Sequence, residues 1–257
     1  MLEKFRLAKA PEIARLRELE KRGALPAPSS SPRPPFAAAL AGVKPLAVIA
    51  EYKRASPSAG AINPGLTPEF VAKAYAQAGA AAISVLTEET YFQGSLNFLA
   101  AMSEPGLPLL RKDFILDPLQ VAATAATPAS ALLLIARMLT AAELAQCLEL
   151  AAGFGLACVT EVFNEADLDK AGGCGASIIQ VNNRDLDTLA ADLAVSRRLI
   201  ARKQPGQLWI SASGLSKRPQ LDEMAALGFD AALIGTSLMQ HADPGKALTR
   251  LTGARRS

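Results

Sequence analysis

An α/β fold closing into a (β/α)8 TIM barrel, with an N-terminal helical extension, is predicted by three observations. Eight short apolar, β-prone runs recur along the 257 residues, their starts roughly 20 to 35 residues apart, with helical or turn sequence between them. The runs are apolar on both faces, which is the pattern of a parallel sheet covered by helices. The residues that close them are charged or small, as a barrel that gathers its site at the C-terminal strand ends requires. An open, doubly wound sheet is the structural alternative, and the lack of G-x-G-x-x-G after the first run weighs against it. A barrel of about 250 residues is one core, so the chain reads as a single domain, 1–257. Within it, 1–45 is the helical extension and linker, and 46–257 the barrel.

Taken in order, Ala10 to Lys21 reads as a charged amphipathic helix, and the Pro- and Ser-rich stretch 26–35 as an extended connector. The runs are Leu46 to Glu51, Ala81 to Leu86, Leu107 to Lys112, Ala131 to Ile135, Leu156 to Glu161, Ser177 to Asn182, Leu208 to Ala212 and Ala231 to Gly235. Between the first two, Thr67-Pro68-Glu69 opens a helix with a capping threonine and a proline at its first position, and Gly79 ends it. Thr140-Ala141-Ala142-Glu143 reads as a capping box ahead of Leu144, Cys147, Leu148 and Ala151 on one face.

Composition narrows the function classes. Hydrophobic residues make up 50% and charged residues 20%, and the net charge of +3 is small and evenly spread, so nucleic acid is not an expected partner. No run of about 18 apolar residues is present and the N-terminus lacks a secretory core, so neither a membrane span nor export is expected. Cys147, Cys158 and Cys174 have no C-x-x-C spacing and read as buried free thiols in a reducing cytoplasm. His241 is the only histidine, so Ser-His-Asp chemistry and a His-rich metal site are not expected, and acid or base work falls to Lys, Glu or Asp. No cofactor or metal is expected.

The first strand ends in Glu51-Tyr-Lys-Arg-Ala-Ser-Pro-Ser58. Residues two apart share a strand face, so Glu51 and Lys53 both project to the side of Ile49. Burying both is costly unless they pair or bind something. At other strand ends stand Thr87 and Glu88, Lys112 and Asp113, Glu161, and Asn182 with Arg184. Two small-residue turns, Ser213-Gly214 and Gly235-Thr236-Ser237, follow the last two strands, where glycine lets backbone N–H groups approach an anion. A phosphorylated small molecule is the expected ligand.

These residues together resemble the indole-3-glycerol-phosphate synthase family. The resemblance runs from the N-terminal helix to Leu248 and is carried by Glu51 to Ser58, Ser84 to Ser95, Leu110 to Phe114, Glu161, Val181 to Leu186, Ser213-Gly214 and Ile234 to Met239. It implies ring closure of 1-(2-carboxyphenylamino)-1-deoxyribulose 5-phosphate with loss of carbon dioxide and water, a step of tryptophan biosynthesis. By similarity Lys112 is the general acid of ring closure, with Glu161 first, then Glu51 and Lys53, as candidates for the dehydration. Ser56, Phe92, Phe114, Asn182 and Arg184 take substrate-binding roles, the guanidinium suiting a carboxylate. Arg184 has a structural alternative, an ion pair with Asp185 or Asp187. Ser213, Gly214, Gly235 and Thr236 hold the phosphate, with Lys53 adding charge. The chain departs from the family twice, with Ala212 where a glutamate is usual and Gln180 where a glycine is usual. Gln180 is expected to point into the barrel and fill volume that a glutamate at 212 would crowd. Two other readings remain open: another phosphate-binding barrel such as phosphoribosylanthranilate isomerase, and a catalytically impaired barrel serving as a binding or scaffolding subunit.

Overall fold

The structure is a computed structural model that describes residues 2–185 and 188–253. Its barrel strands are β1 (Ala47–Tyr52), β2 (Ala82–Leu86), β3 (Leu109–Lys112), β4 (Ala131–Ile135), β5 (Ala157–Val162), β6 (Ile178–Asn182), β7 (Leu208–Ala212) and β8 (Ala231–Ile234). Each lies inside or within one residue of its predicted run. All eight are parallel to their neighbours, and β1 pairs with both β2 and β8, which closes the barrel.

Alternation along the strands divides the core into two shells. Ile49, Leu110, Leu133, Val159, Ile210 and Leu233 fill the barrel interior. Val48, Ile83, Leu132, Ile179, Trp209 and Ile234 face outward and pack beneath the surrounding helices. The predicted caps form: Thr67 accepts from the Phe70 amide, and Thr140 and Glu143 make a complete capping box.

The extension differs from expectation. Its first helix, α1, spans Leu2–Lys21 and runs straight through Pro11. Packing outweighs the missing backbone donor, because Phe5, in the half that precedes the proline, is buried against Tyr91, Phe92 and Phe114. A second helix, α2 (Phe36–Leu40), was not expected and inserts Phe36 and Leu40 into the interior cluster.

A buried ion network ties α1 to the end of β3. Lys9 lies 2.8 Å from Asp113 and also pairs with Glu12, while Arg111 lies 2.9 Å from both Glu12 and Asp113. Thr87 donates to Asp113 at 2.6 Å. Burial alone pushes the Asp113 carboxyl up, but the charges of Arg111 and Lys9 and the bonds from Lys9 and Thr87 hold it below its ordinary value of 3.8. The unfolded chain therefore takes up this proton more readily than the folded one, so the stabilisation is complete above that value and is lost as pH falls through the lower folded value. Asp113→Asn is expected to cost about 3–5 kcal/mol at neutral pH, because Arg111 and Lys9, both buried, are left to share the single carboxylate of Glu12, and to flatten the acid limb of stability. Urea unfolding across pH checks both effects. An unchanged acid limb contradicts the assignment.

Candidate active site

The C-terminal mouth of the barrel holds a cavity of about 350 Å³. Every residue predicted for the site lines it: Glu51, Lys53, Ser56, Phe92, Lys112, Phe114, Glu161, Asn182, Arg184, Ser213, Gly214, Gly235 and Thr236. Lys112 and Asn182 close β3 and β6, and Glu51 and Glu161 are the penultimate residues of β1 and β5.

Two Lys/Glu pairs organise the polar floor. Lys53 Nζ lies 2.9 Å from Glu51 Oε1, as the shared strand face predicts, and Lys112 Nζ lies 3.7 Å from Glu161 Oε2. Ser84 donates to Glu51 Oε2 at 3.3 Å, and the Tyr75 hydroxyl donates to the Glu51 carbonyl at 3.0 Å. Burial pushes the Glu51 carboxyl up, yet the positive charges of Lys53 and Lys112 and the bonds from Lys53 and Ser84 hold it below its ordinary 4.5. At neutral pH Glu51 is therefore a carboxylate, able to accept a proton.

Two other strand-end charges are structural. Glu88 accepts from the amides of Thr90, Tyr91 and Phe92 at 2.7–3.1 Å and shapes the loop that presents Phe92. Asp113 belongs to the α1 network described above. Phe92 and Phe114 form an apolar wall that sequence reading left incomplete, because Phe5 of α1 stacks on Phe114 with ring centroids 4.0 Å apart and also lines the cavity.

The loop after β1 folds into an unexpected hairpin, Ala55–Ser56 paired with Gly60–Ala61, which sets Ser56 against the site. After β7, Ser213 and Gly214 both take positive φ, 70° and 78°. For a serine this backbone is disfavoured, and Asn183 secures it by donating to the carbonyls of Ala212 and Ser213 at 2.9 and 3.2 Å. Asn183 was missed; its signal was opposite parity to Asn182, which turns it away from the cavity and onto the neighbouring strand. The Ser213 and Gly235 turns sit side by side, bridged by Ser237 Oγ donating to the Leu215 carbonyl at 3.4 Å.

Gly235 has a different reason from the one read in the sequence. Its φ of −130° is open to any residue, but a Cβ there would stand 2.3 Å from Glu51 Oε1. Glycine makes room for the carboxylate.

Arg184 donates from Nη1 to the Leu189 carbonyl and from its backbone to Asn182 Oδ1, the latter at 3.0 Å. Leu186 of the matched segment and Asp187, one of its two alternative partners, lie outside the described residues. Gln180 is wholly buried and lines the cavity, but its amide nitrogen donates to Glu161 on β5, across from the β7 strand that carries Ala212. Its predicted inward direction holds; the nitrogen is spent on Glu161.

Of the cysteines only Cys147 is buried; Cys158 and Cys174 are half-exposed, Cys174 because it caps the end of the helix Glu165–Gly173. Burial pushes the Cys147 and Cys158 thiols up to about 11 and about 12, so neither is reactive. Among the described residues no three His, Cys, Asp or Glu side chains gather as a metal site, and no helix is long and apolar enough to cross a membrane.

Comparison with known proteins agrees with this geometry. Residues 2–251 match the family profile described as "Indole-3-glycerol phosphate synthase". The chain is 43% identical over 203 residues to the indole-3-glycerol phosphate synthase of Carboxydothermus hydrogenoformans, covering 78% of this chain and 77% of that protein. It is 42% identical over 236 residues to that of a Roseiflexus species, covering 88% of each. Among solved structures, 3-hexulose-6-phosphate synthase from Salmonella typhimurium superposes with a TM-score of 0.65 at 14% identity, over 81% of this chain and 97% of that one, a likeness of fold.

Proposed function

The chain belongs to the indole-3-glycerol phosphate synthase family, and from that premise we propose how its residues divide the work of this carboxy-lyase. The reaction closes 1-(2-carboxyphenylamino)-1-deoxyribulose 5-phosphate to indole-3-glycerol phosphate, releasing carbon dioxide and water. The aromatic carbon bearing the carboxylate attacks the ribulose carbonyl, and nitrogen takes up positive charge as an iminium. Loss of carbon dioxide sends its electron pair into the ring, restores aromaticity and neutralises the nitrogen. Loss of the new hydroxyl and a ring C–H proton completes the indole.

Lys112 protonates the carbonyl oxygen as the new carbon–carbon bond forms, with the Glu161 carboxylate beside it to relay a replacement proton from water. The oxygen that leaves as water is the one Lys112 has already protonated, so the Lys112–Glu161 pair is placed to deliver the second proton as well. Glu51, held ionised by Lys53, removes the C–H proton. Phe92 and Phe114, closed over by Phe5, receive the aromatic ring and keep water from the carboxylate. Ser56, Asn182 and Arg184 bind the carboxylate and hydroxyls. The turns at Ser213, Gly214, Gly235 and Thr236 take the phosphate, with charge from Lys53. The observation that carries this reading is the pair of Lys/Glu contacts facing one cavity whose opposite sides are an aromatic wall and two glycine-containing turns.

Phe5 and the Lys9–Asp113 network support treating the extension and the barrel as one domain. Three free thiols support a cytoplasmic location.

Glu51→Gln separates the steps. With the base removed, carbon dioxide is expected to be released while indole formation lags by about a hundredfold. Parallel manometric and fluorescence assays measure the two products. Equal loss of both would assign Glu51 to ring closure instead.

A further inference from the structure

Gln180 Oε1 is buried without a hydrogen-bond partner, and of the buried polar side-chain atoms in that state among the described residues it alone belongs to a residue lining the cavity. Its surroundings explain why the chain leaves it so. On one side Gln180 is in register with Glu161, whose carboxylate already accepts from Gln180 Nε2 and has no proton to offer when ionised. On the other side it is in register with Ile210, and the next inward residue of β7 is Ala212, so neither offers a donor. Lys112, the other group on Glu161 Oε2, makes no bond to Gln180 Oε1, so the donor left to consider is one that a ligand brings into the cavity.

We propose that Gln180 is a substrate-binding residue that also positions Glu161: Nε2 fixes the Glu161 carboxylate, and Oε1 accepts the N–H of the substrate's secondary amine. This rests on the function proposed above. The amine is the donor adjoining the ring-closing atoms, and Glu161 places Gln180 beside Lys112, where the new bond forms. The hydroxyls run away toward the phosphate turns. On ring closure the nitrogen becomes positively charged and its N–H a stronger donor, so a fixed amide carbonyl facing it helps most in the step that creates the charge. A carboxylate at 180 would instead set two negative charges against each other, whereas the amide offers Glu161 a donor and the ligand an acceptor.

The test pairs a change in the protein with a change in the ligand, using the carbonyl-reduced substrate, which cannot cyclise, and its N-methyl derivative. By calorimetry the wild-type protein is expected to bind the N-methyl compound about tenfold more weakly than the N–H compound, a loss typical of one buried hydrogen bond. Gln180→Met is expected to bind the N–H compound as weakly as wild type binds the N-methyl one, to discriminate less than twofold, and to lose kcat more than KM, with its unfolding midpoint within a few degrees of wild type. Gln180→Asn draws the carbonyl back by one methylene, carries the same expectation, and serves if the Met variant does not fold. A variant that folds and still discriminates tenfold overturns the proposal, as does a wild type that discriminates against neither compound. If wild type binds neither compound and does not turn over the carboxyphenylamino substrate, the reading of the site itself fails.

Discussion

Lys112→Ala is expected to lower kcat by at least about a hundredfold, the usual loss on removing a general acid. Lys53, the other lysine of the cavity, is held 2.9 Å from Glu51 and cannot serve in its place. Lys112 is half-buried and its only ion pair among the described residues is the longer 3.7 Å contact with Glu161, so thermal stability is expected to change little. The substrate KM is expected to stay within severalfold, since the aromatic wall and the phosphate turns are untouched. Near-normal kcat in a folded Lys112→Ala protein removes Lys112 from the chemistry.

Gly235→Val is expected to have the second largest effect, and the structure changes the reason. A side chain at 235 displaces the Glu51 carboxylate before it meets any ligand. Moving Glu51 disturbs its contact with Lys53 and misplaces the base, and a displacement of about 1 Å can cost about a hundredfold in rate. Turnover is therefore expected to fall about a hundredfold, and inorganic phosphate to bind more weakly because the adjoining turn shifts with it. Repeating the change as Gly235→Ala in a Glu51→Gly background removes all three close contacts, with Oε1, Cδ and Cβ of residue 51, and isolates the contribution of the turn to phosphate binding. Unchanged kcat and unchanged phosphate affinity in Gly235→Val contradict both roles.

The barrel was legible because its strands are apolar on both faces and the period of two is strict. The same parity that places Ile49 in the interior places Glu51 there, one step nearer the mouth, with Lys53 beyond it. What escaped depends on contacts between distant segments. Phe5 completes the aromatic wall, but the helix read from the sequence begins only at Ala10, and no local pattern reveals that Phe5 meets Phe114. Asn183 looks interchangeable with Asn182 until the strained Ser213 turn lies beside it. Gly235 reads as an anion-binding glycine because the carboxylate it accommodates, that of Glu51, lies far away in the sequence on the first strand. Glu88 and Asp113 read as site charges because sequence shows a carboxylate at a strand end without showing the amides and cations that already occupy it. Gln180 was read as filling volume and supplying a polar group near the carboxylate missing at 212, and only the register of β5 with β6 shows it facing Glu161.

The central claim is that the paired Lys/Glu groups of this barrel close and dehydrate the carboxyphenylamino sugar phosphate. It is tested most directly by supplying purified protein with 1-(2-carboxyphenylamino)-1-deoxyribulose 5-phosphate and following indole fluorescence, with Lys112→Ala as the control. The expected result is steady fluorescence growth in the wild type, matched mole for mole by carbon dioxide, and at least about a hundredfold less in the control. A folded wild-type protein that binds the substrate yet yields neither indole nor carbon dioxide would contradict the account.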